Sequence, residues 1–147
     1  MQMTNKRRHD KHEAYQELTT HGVHVQKHDQ IRLNSGSESL AHQVAKLCVA
    51  HLGKANGYWV ASEVPVEQPG DTEDKEADIV LWGHPDRLVY NVEAETGWTE
   101  QTKDNKVKYY VESNPVIDDM LPVEVLDLPD EWLGALAEVS DQIGLKP

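Results

Sequence analysis

The chain has 147 residues, with 26 Asp or Glu against 14 Lys or Arg, a formal net charge of −12, one cysteine and no phenylalanine. Its length suits one domain with a core of its own. The lone Cys48 excludes an internal disulfide and a multi-cysteine zinc site, and no apolar run is long enough to span a bilayer. Met1 to Lys6 leads into charge instead of a secretory pattern, so a cytoplasmic location with no membrane partner is expected.

Residues 1–34 read as an N-terminal polar and basic arm. The run Lys6-Arg7-Arg8-His9-Asp10-Lys11-His12 suits a solvated tail, followed by a short helical turn over Glu13 to Leu18 and a weakly alternating edge strand from His21 to His28. No helix aligns His21, His24 and His28, because Gly22 and the β-branched valines disfavour one, and they read as surface residues. A helix then spans about Ser37 to Ala55. Ser35-Gly36-Ser37-Glu38 has capping-box spacing, Leu40, Val44, Leu47, Cys48 and Leu52 recur at three- and four-residue steps, and Asn56-Gly57 closes the element. Cys48 in that stripe is a small buried hydrophobe.

Strand signals follow at Tyr58 to Glu67, then a polar connection from Pro69 to Glu76. Ala77-Asp78-Ile79-Val80-Leu81-Trp82 and Val89-Tyr90-Asn91-Val92-Glu93-Ala94-Glu95-Thr96 read as two further strands across the turn Gly83-His84-Pro85-Asp86. A helix is predicted from Thr99 to Glu112, a strand from Pro122 to Leu128 and a helix from Pro129 to about Gln142, with Pro129 in its first turn. The order is α-β-β-β-α-β-α, an α/β class domain over residues 35–147 with a mixed central sheet flanked by helices.

Three carboxylates on the two central strands carry the functional reading. A hairpin of this length brings Asp78 near Glu93, and Glu93 and Glu95 share a strand face because side chains alternate with a period of 2. Anions so placed repel unless a cation neutralises them, and a hard divalent ion such as Mg²⁺ prefers such oxygen ligands. Phosphodiester hydrolysis needs an activated water and charge neutralisation on the phosphoryl oxygens, which such an ion supplies. Structural roles compete with this reading: Asp78 ending a turn, Glu93 and Glu95 facing solvent on an edge strand, Glu38 serving only as the capping-box acid, and Glu63 on the surface. Trp82 and Trp98 flank the carboxylates; either could stack on a base, although Trp82, in an apolar strand, suits the core better.

The order of elements resembles the PD-(D/E)xK nuclease superfamily. The likeness lies in an acid at the start of the first helix, Asp78 on the second strand and Glu93-Ala94-Glu95 on the third. That superfamily has the restriction-endonuclease-like fold and includes archaeal Holliday-junction resolvases and phage and plasmid nucleases. The resemblance covers roughly residues 35–128 and rests on order and spacing together. It implies a metal-dependent nuclease hydrolysing DNA phosphodiester bonds with Mg²⁺ or Mn²⁺. Asp78, Glu93 and the carbonyl of Ala94 would hold the metal, and Glu38, Asp78, Glu93, Glu95 and Lys106 would form the catalytic set. Glu95 stands where the family usually has lysine; some members carry Glu there and others place the lysine on the following helix. Lys106, on one helix face with Lys103 and Tyr110, is the candidate for that displaced cation. Members that cut both strands are often dimers, so a homodimer is compatible with the resemblance. The alternative is a nuclease-fold protein without catalysis, acting as a DNA-binding or viral assembly subunit; an acidic interaction domain unrelated to nucleases is a third.

Charge divides unevenly along the chain. Residues 1–34 hold six Lys or Arg against four acids, and the remainder eight against twenty-two. Such a body is a poor generic nucleic-acid binder, because phosphate contacts come from Lys and Arg. Either the protein does not bind nucleic acid, or it is salt-adapted with an acidic surface throughout. The missing Phe, few lysines and abundant Val, Asp and Glu lean towards a halophilic source, and the resemblance adds an archaeal or viral one.

Overall fold

In a computed structural model, which describes residues 5–33, 38–68, 75–83 and 86–147, the chain runs α1 (Asn5–Thr20), α2 (Leu40–Ala55), β1 (Trp59–Val66), β2 (Lys75–Trp82), β3 (Tyr90–Glu95), α3 (Glu100–Val107), β4 (Asp119–Glu124) and α4 (Trp132–Ile143). The four strands form one open mixed sheet in the order β1-β2-β3-β4. β1, β2 and β3 are antiparallel neighbours, whereas β4 lies parallel to β3, with Glu93 opposite Pro122 and Glu95 opposite Glu124. A parallel neighbour requires a crossover. Here α3 and the π-helical turn Lys108–Glu112 that continues it supply the crossover.

Both faces of the sheet are covered. On one, Ala45, Cys48, Val49 and Leu52 of α2 and Ala135, Leu136, Val139 and Ile143 of α4 pack on Val60, Ile79, Leu81, Val92 and Val123. Gly53 allows that close approach, since a Cβ there would lie 2.6 Å from Leu81 Cδ2. On the other face, Leu18, Val23, Tyr109, Tyr110 and Ile117 pack on Trp59, Val80 and Trp82. Burial on both faces explains why the central strands read as near-continuous apolar runs instead of alternating ones.

Several elements differ from the sequence expectation. The segment read as a solvated arm is mostly helix, and Tyr15 and Leu18 of α1 pack against the sheet residues. Its cations also contribute: the Arg7 guanidinium lies 4.3 Å and the Lys11 ammonium 4.8 Å from the Trp59 ring centroid. The segment after it runs along the β1 edge, with a bridge between Val23 and Val66 and hydrogen bonds from His24 N to Pro65 O and from Gln30 N to Val60 O. Helix α2 is capped by Ser39, whose hydroxyl accepts from His42 N at 3.2 Å. The capping box expected at Ser35 to Glu38 falls largely outside the described residues, and Glu38 precedes the helix. β4 begins three residues before Pro122 and gives way to a 3₁₀ turn at Val125–Asp127. Pairing with β3 sets that register, and an edge strand tolerates the proline. Helix α4 starts after Pro129, where the Glu131 carboxylate accepts from Gly134 N.

Candidate functional site

The site forms where the sheet loses its regular ladder. Trp59 and Ala61 of β1 face the α1 side, yet so do Val64 and Val66, a one-residue change of phase. β2 shows the same change, with Val80 and Trp82 on the α1 side and Ala77 sharing it. In an unbroken strand residues three apart cannot share a face. The break falls at Glu63 in β1 and Asp78 in β2, between the pairs Ser62–Ile79 and Val64–Ala77. Glu63 absorbs it with φ of +50°. A non-glycine residue there costs about 1–2 kcal/mol of backbone strain.

β2 and β3 also stop pairing at Ile79 and Val92. Beyond that point side chains take over from the ladder. Asp78 N donates to Glu93 Oε2 at 2.7 Å, and Ala94 N donates to Asp78 Oδ2 at 2.9 Å. This reciprocal pair fixes both carboxylates where main-chain bonds have been given up. Lys106 reaches in from α3 and donates to Glu93 Oε1 and Glu95 Oε1, each at 2.8 Å. The π-helical turn that follows buries Tyr109 and Tyr110, whose hydroxyls donate to Val66 O and Glu76 O.

A second charged group meets the cavity beside Asp78 through Glu38. Lys46 of α2, only 2% exposed, donates to the carboxylates of Glu38 and Glu63 and, at 3.2 Å, to Arg32 O. His42, one turn earlier on α2, contacts Ala94 O through Nε2 at 3.1 Å and Ser39 Oγ through Nδ1 at 3.0 Å. A carbonyl oxygen can only accept, so Nε2 carries the proton in that bond. Glu38, His42, Asp78, Ala94 and Glu95 line an open cavity of about 420 Å³.

Burial dominates the electrostatics. Glu93 is 1% exposed, and burial, aided by the neighbouring Asp78 charge, pushes its carboxyl up to about 8 against the pull of Lys106. Burial likewise raises Asp78, with the Ala94 N–H and Lys106 opposing, and raises Glu63 despite Lys46. Burial alone would lower both lysines. Hydrogen bonds and charge from Glu38 and Glu63 outweigh it at Lys46, and those from Glu93 and Glu95 outweigh it at Lys106, so each ammonium is held above its ordinary value. Perturbation of this kind, concentrated beside a cavity, is characteristic of functional sites.

Asp78, Glu93, Glu95 and Lys106, singled out from sequence, are therefore brought together, and Glu38 reaches the same cavity by way of Lys46. Trp98 is half-buried, its indole N–H donating to Val123 O at 2.8 Å, with Lys106 Nζ 5.8 Å from its ring centroid. Trp82 is a core residue. Sequence reasoning missed Lys46 and His42, and placed Glu63 on the surface although its carboxylate is tied to Lys46. The available signal was Lys46 lying in helical line with His42, Val49 and Gly53, since a lysine on a buried face requires a buried acid.

Asp78, Ala94 and Glu95 line the cavity and offer oxygen donors of the type a hard divalent ion takes, whereas Glu93, buried, is not among the lining residues and its two oxygens already accept from Asp78 N and Lys106 Nζ. Among the described residues, no group of three or more His, Cys, Asp or Glu side chains is arranged to hold a metal. Comparison of the chain with protein-family models, curated proteins and solved structures gives no match to any.

Proposed function

We propose that the protein is a metal-dependent nuclease of restriction-endonuclease-like fold that hydrolyses DNA phosphodiester bonds with Mg²⁺ or Mn²⁺. The observation that carries this reading is the parting of β2 and β3 at Asp78 and Glu93, where main-chain N–H groups hold both carboxylates, Lys106 pairs with Glu93 and Glu95, and Asp78 and Glu95 line an open cavity. Asp78, Glu93 and the Ala94 carbonyl would hold the ion, which supplies Lewis acidity and activates a water. Lys106, aligned by Glu95, stabilises negative charge developing on the phosphoryl oxygens. His42 donates to the Ala94 carbonyl oxygen and orients it, leaving that oxygen's second lone pair for the ion. Glu93 must release its proton to serve as a ligand.

The test is nicking of supercoiled DNA by purified protein with Mg²⁺. Asp78→Asn keeps the acceptor for Ala94 N but weakens the ligand, and should slow cutting by about 100-fold or more. Lys106→Met should slow cutting by a similar factor, about 100-fold, while DNA affinity changes only a few-fold. Cutting at the wild-type rate by both variants would remove the assignment.

One observation favours a non-catalytic, DNA-binding or assembly role instead. Both oxygens of Glu93 already have protein partners, so the site is satisfied without an ion. Wild-type protein that cuts no DNA across salt and metal conditions would favour that role.

A further inference from the structure

The Lys46 ammonium, buried within the fold, meets oxygens from three segments: Glu38 ahead of the α2 cap, Arg32 O before that, and Glu63 in the middle of β1. Helix geometry explains the reach to Glu38. Cβ atoms tilt toward the helix N-terminus, so a long side chain at Lys46 runs back along α2 to the residue before its cap. Glu63 meets the same ammonium from a backbone conformation that a non-glycine residue rarely adopts. Stability alone does not account for this arrangement. Apolar side chains in place of a buried ion pair are often as stable or more so, and the strain at Glu63 adds a further cost. Glu38 lines the cavity that Asp78, Ala94 and Glu95 also line, whereas Lys46 and Glu63 do not. The three side chains thus form a line from the sheet to the cavity edge, in which Glu63 fixes Lys46 and Lys46 fixes Glu38.

We propose that Lys46 and Glu63 are positioning residues that hold the Glu38 carboxylate at the cavity edge, where it accepts a hydrogen bond from the water that attacks the phosphodiester. The inference rests on the hydrolytic reading of the Asp78 cavity and deepens it by naming the buried pair that aims the water-aligning group. The other polar side chains on the α2 side of the cavity bond to one another or to the sheet. Ser39 Oγ pairs with His42 N and Nδ1, and His42 Nε2 with Ala94 O. Glu38 supplies the carboxylate on that side. Misplacing an aligned reactant by about 1 Å can cost about 100-fold in rate, which gives the strain at Glu63 and the burial of Lys46 a purpose.

Nicking kinetics of the full chain over a range of DNA concentrations, with melting temperatures of the same samples, test the assignment. Glu38→Gln should lower kcat by about 100-fold. Lys46→Met, which keeps the stem and removes the charge, should lower kcat by about 10-fold or more and change KM by less than about three-fold, since the water and not the DNA has lost its holder. Adding Lys46→Met to Glu38→Gln should slow cutting by no more than about three-fold further, because residues that act as a unit are not additive. Lys46→Met with Glu63→Gln removes the ammonium together with an acid it neutralises. That pair should fold even where Lys46→Met alone does not, and should cut as slowly as Glu38→Gln or faster, never at the wild-type rate. Wild-type kcat in Glu38→Gln or in a folded Lys46→Met chain would overturn the inference, as would losses that multiply in the Lys46→Met, Glu38→Gln chain. Failure of both Lys46→Met chains to fold would assign the lysine to the fold alone and overturn it equally. Wild-type protein that cuts no DNA would instead remove the hydrolytic reading itself, a failure seen before any variant is compared.

Discussion

Glu93 is the residue on which pH acts most directly. Its folded value, pushed up to about 8, lies above the ordinary carboxylate value of 4.5, so the folded state retains a proton that the unfolded chain has released. The stability it contributes is fully present below the unfolded value and is lost as pH rises through the folded one. Metal-free protein should therefore lose stability between pH 4.5 and about 8 through this group, and Glu93→Gln should flatten that part of the profile. Divalent ions should bind more tightly as pH rises over the same window, because binding must displace the proton. Melting curves and Mn²⁺ titrations at several pH values check both, and a variant with the wild-type slope would show that another group carries it.

At the scale of elements, α1 decides how much of the chain the fold requires. Leu18 is 1% exposed and packs with Val23 against the sheet. Truncating a leucine buried to this degree costs about 2–5 kcal/mol. Leu18→Ala should lower the urea midpoint accordingly, followed by the fluorescence of Trp59 and Trp82, which lie under the same helix. A cost below about 0.5 kcal/mol, the size of an ordinary surface change, would mean that α1 does not dock. Helix α3 acts differently. It is polar and buries no side chain of its own, and the π-helical turn after it supplies the buried tyrosines while Lys106 reaches the carboxylates. Single π turns are frequent at functional sites.

For the whole molecule, the net charge of −12 is the governing quantity. Acids crowd the site as well as the surface, and two lysines neutralise only part of that cluster. Screening shortens the reach of charge from about 10 Å at 0.1 M salt to about 3 Å at 1 M, which relieves self-repulsion among the acids. The melting temperature should therefore rise with salt, whereas DNA affinity should fall because counterion release is worth less. A melting temperature that drops as salt increases would contradict a salt-adapted surface. No described helix is long and apolar enough to cross a membrane.

The sequence by itself determined the elements that have a strong local signature. β2 and β3 were legible because β-branched and aromatic residues sit between turn signals, and period 2 put Glu93 and Glu95 on one face before any contact was known. Helical spacing singled out Lys106, which reaches Glu93 and Glu95 in the structure. Tertiary structure decided what depends on partners distant in the chain. Helix α1 is too polar to announce itself, and its burial comes from Trp59 and Trp82 waiting on the sheet. Glu63 in a strand reads as solvent-facing until a left-handed backbone turns it onto Lys46. Lys46 shares a helical line with Val49 and Gly53, but a lone lysine gives no sign of which two carboxylates, 8 and 17 residues away, make its burial tolerable. Local periodicity can place a side chain on a face, but the sign and reach of its charged neighbours are set only when separate segments meet.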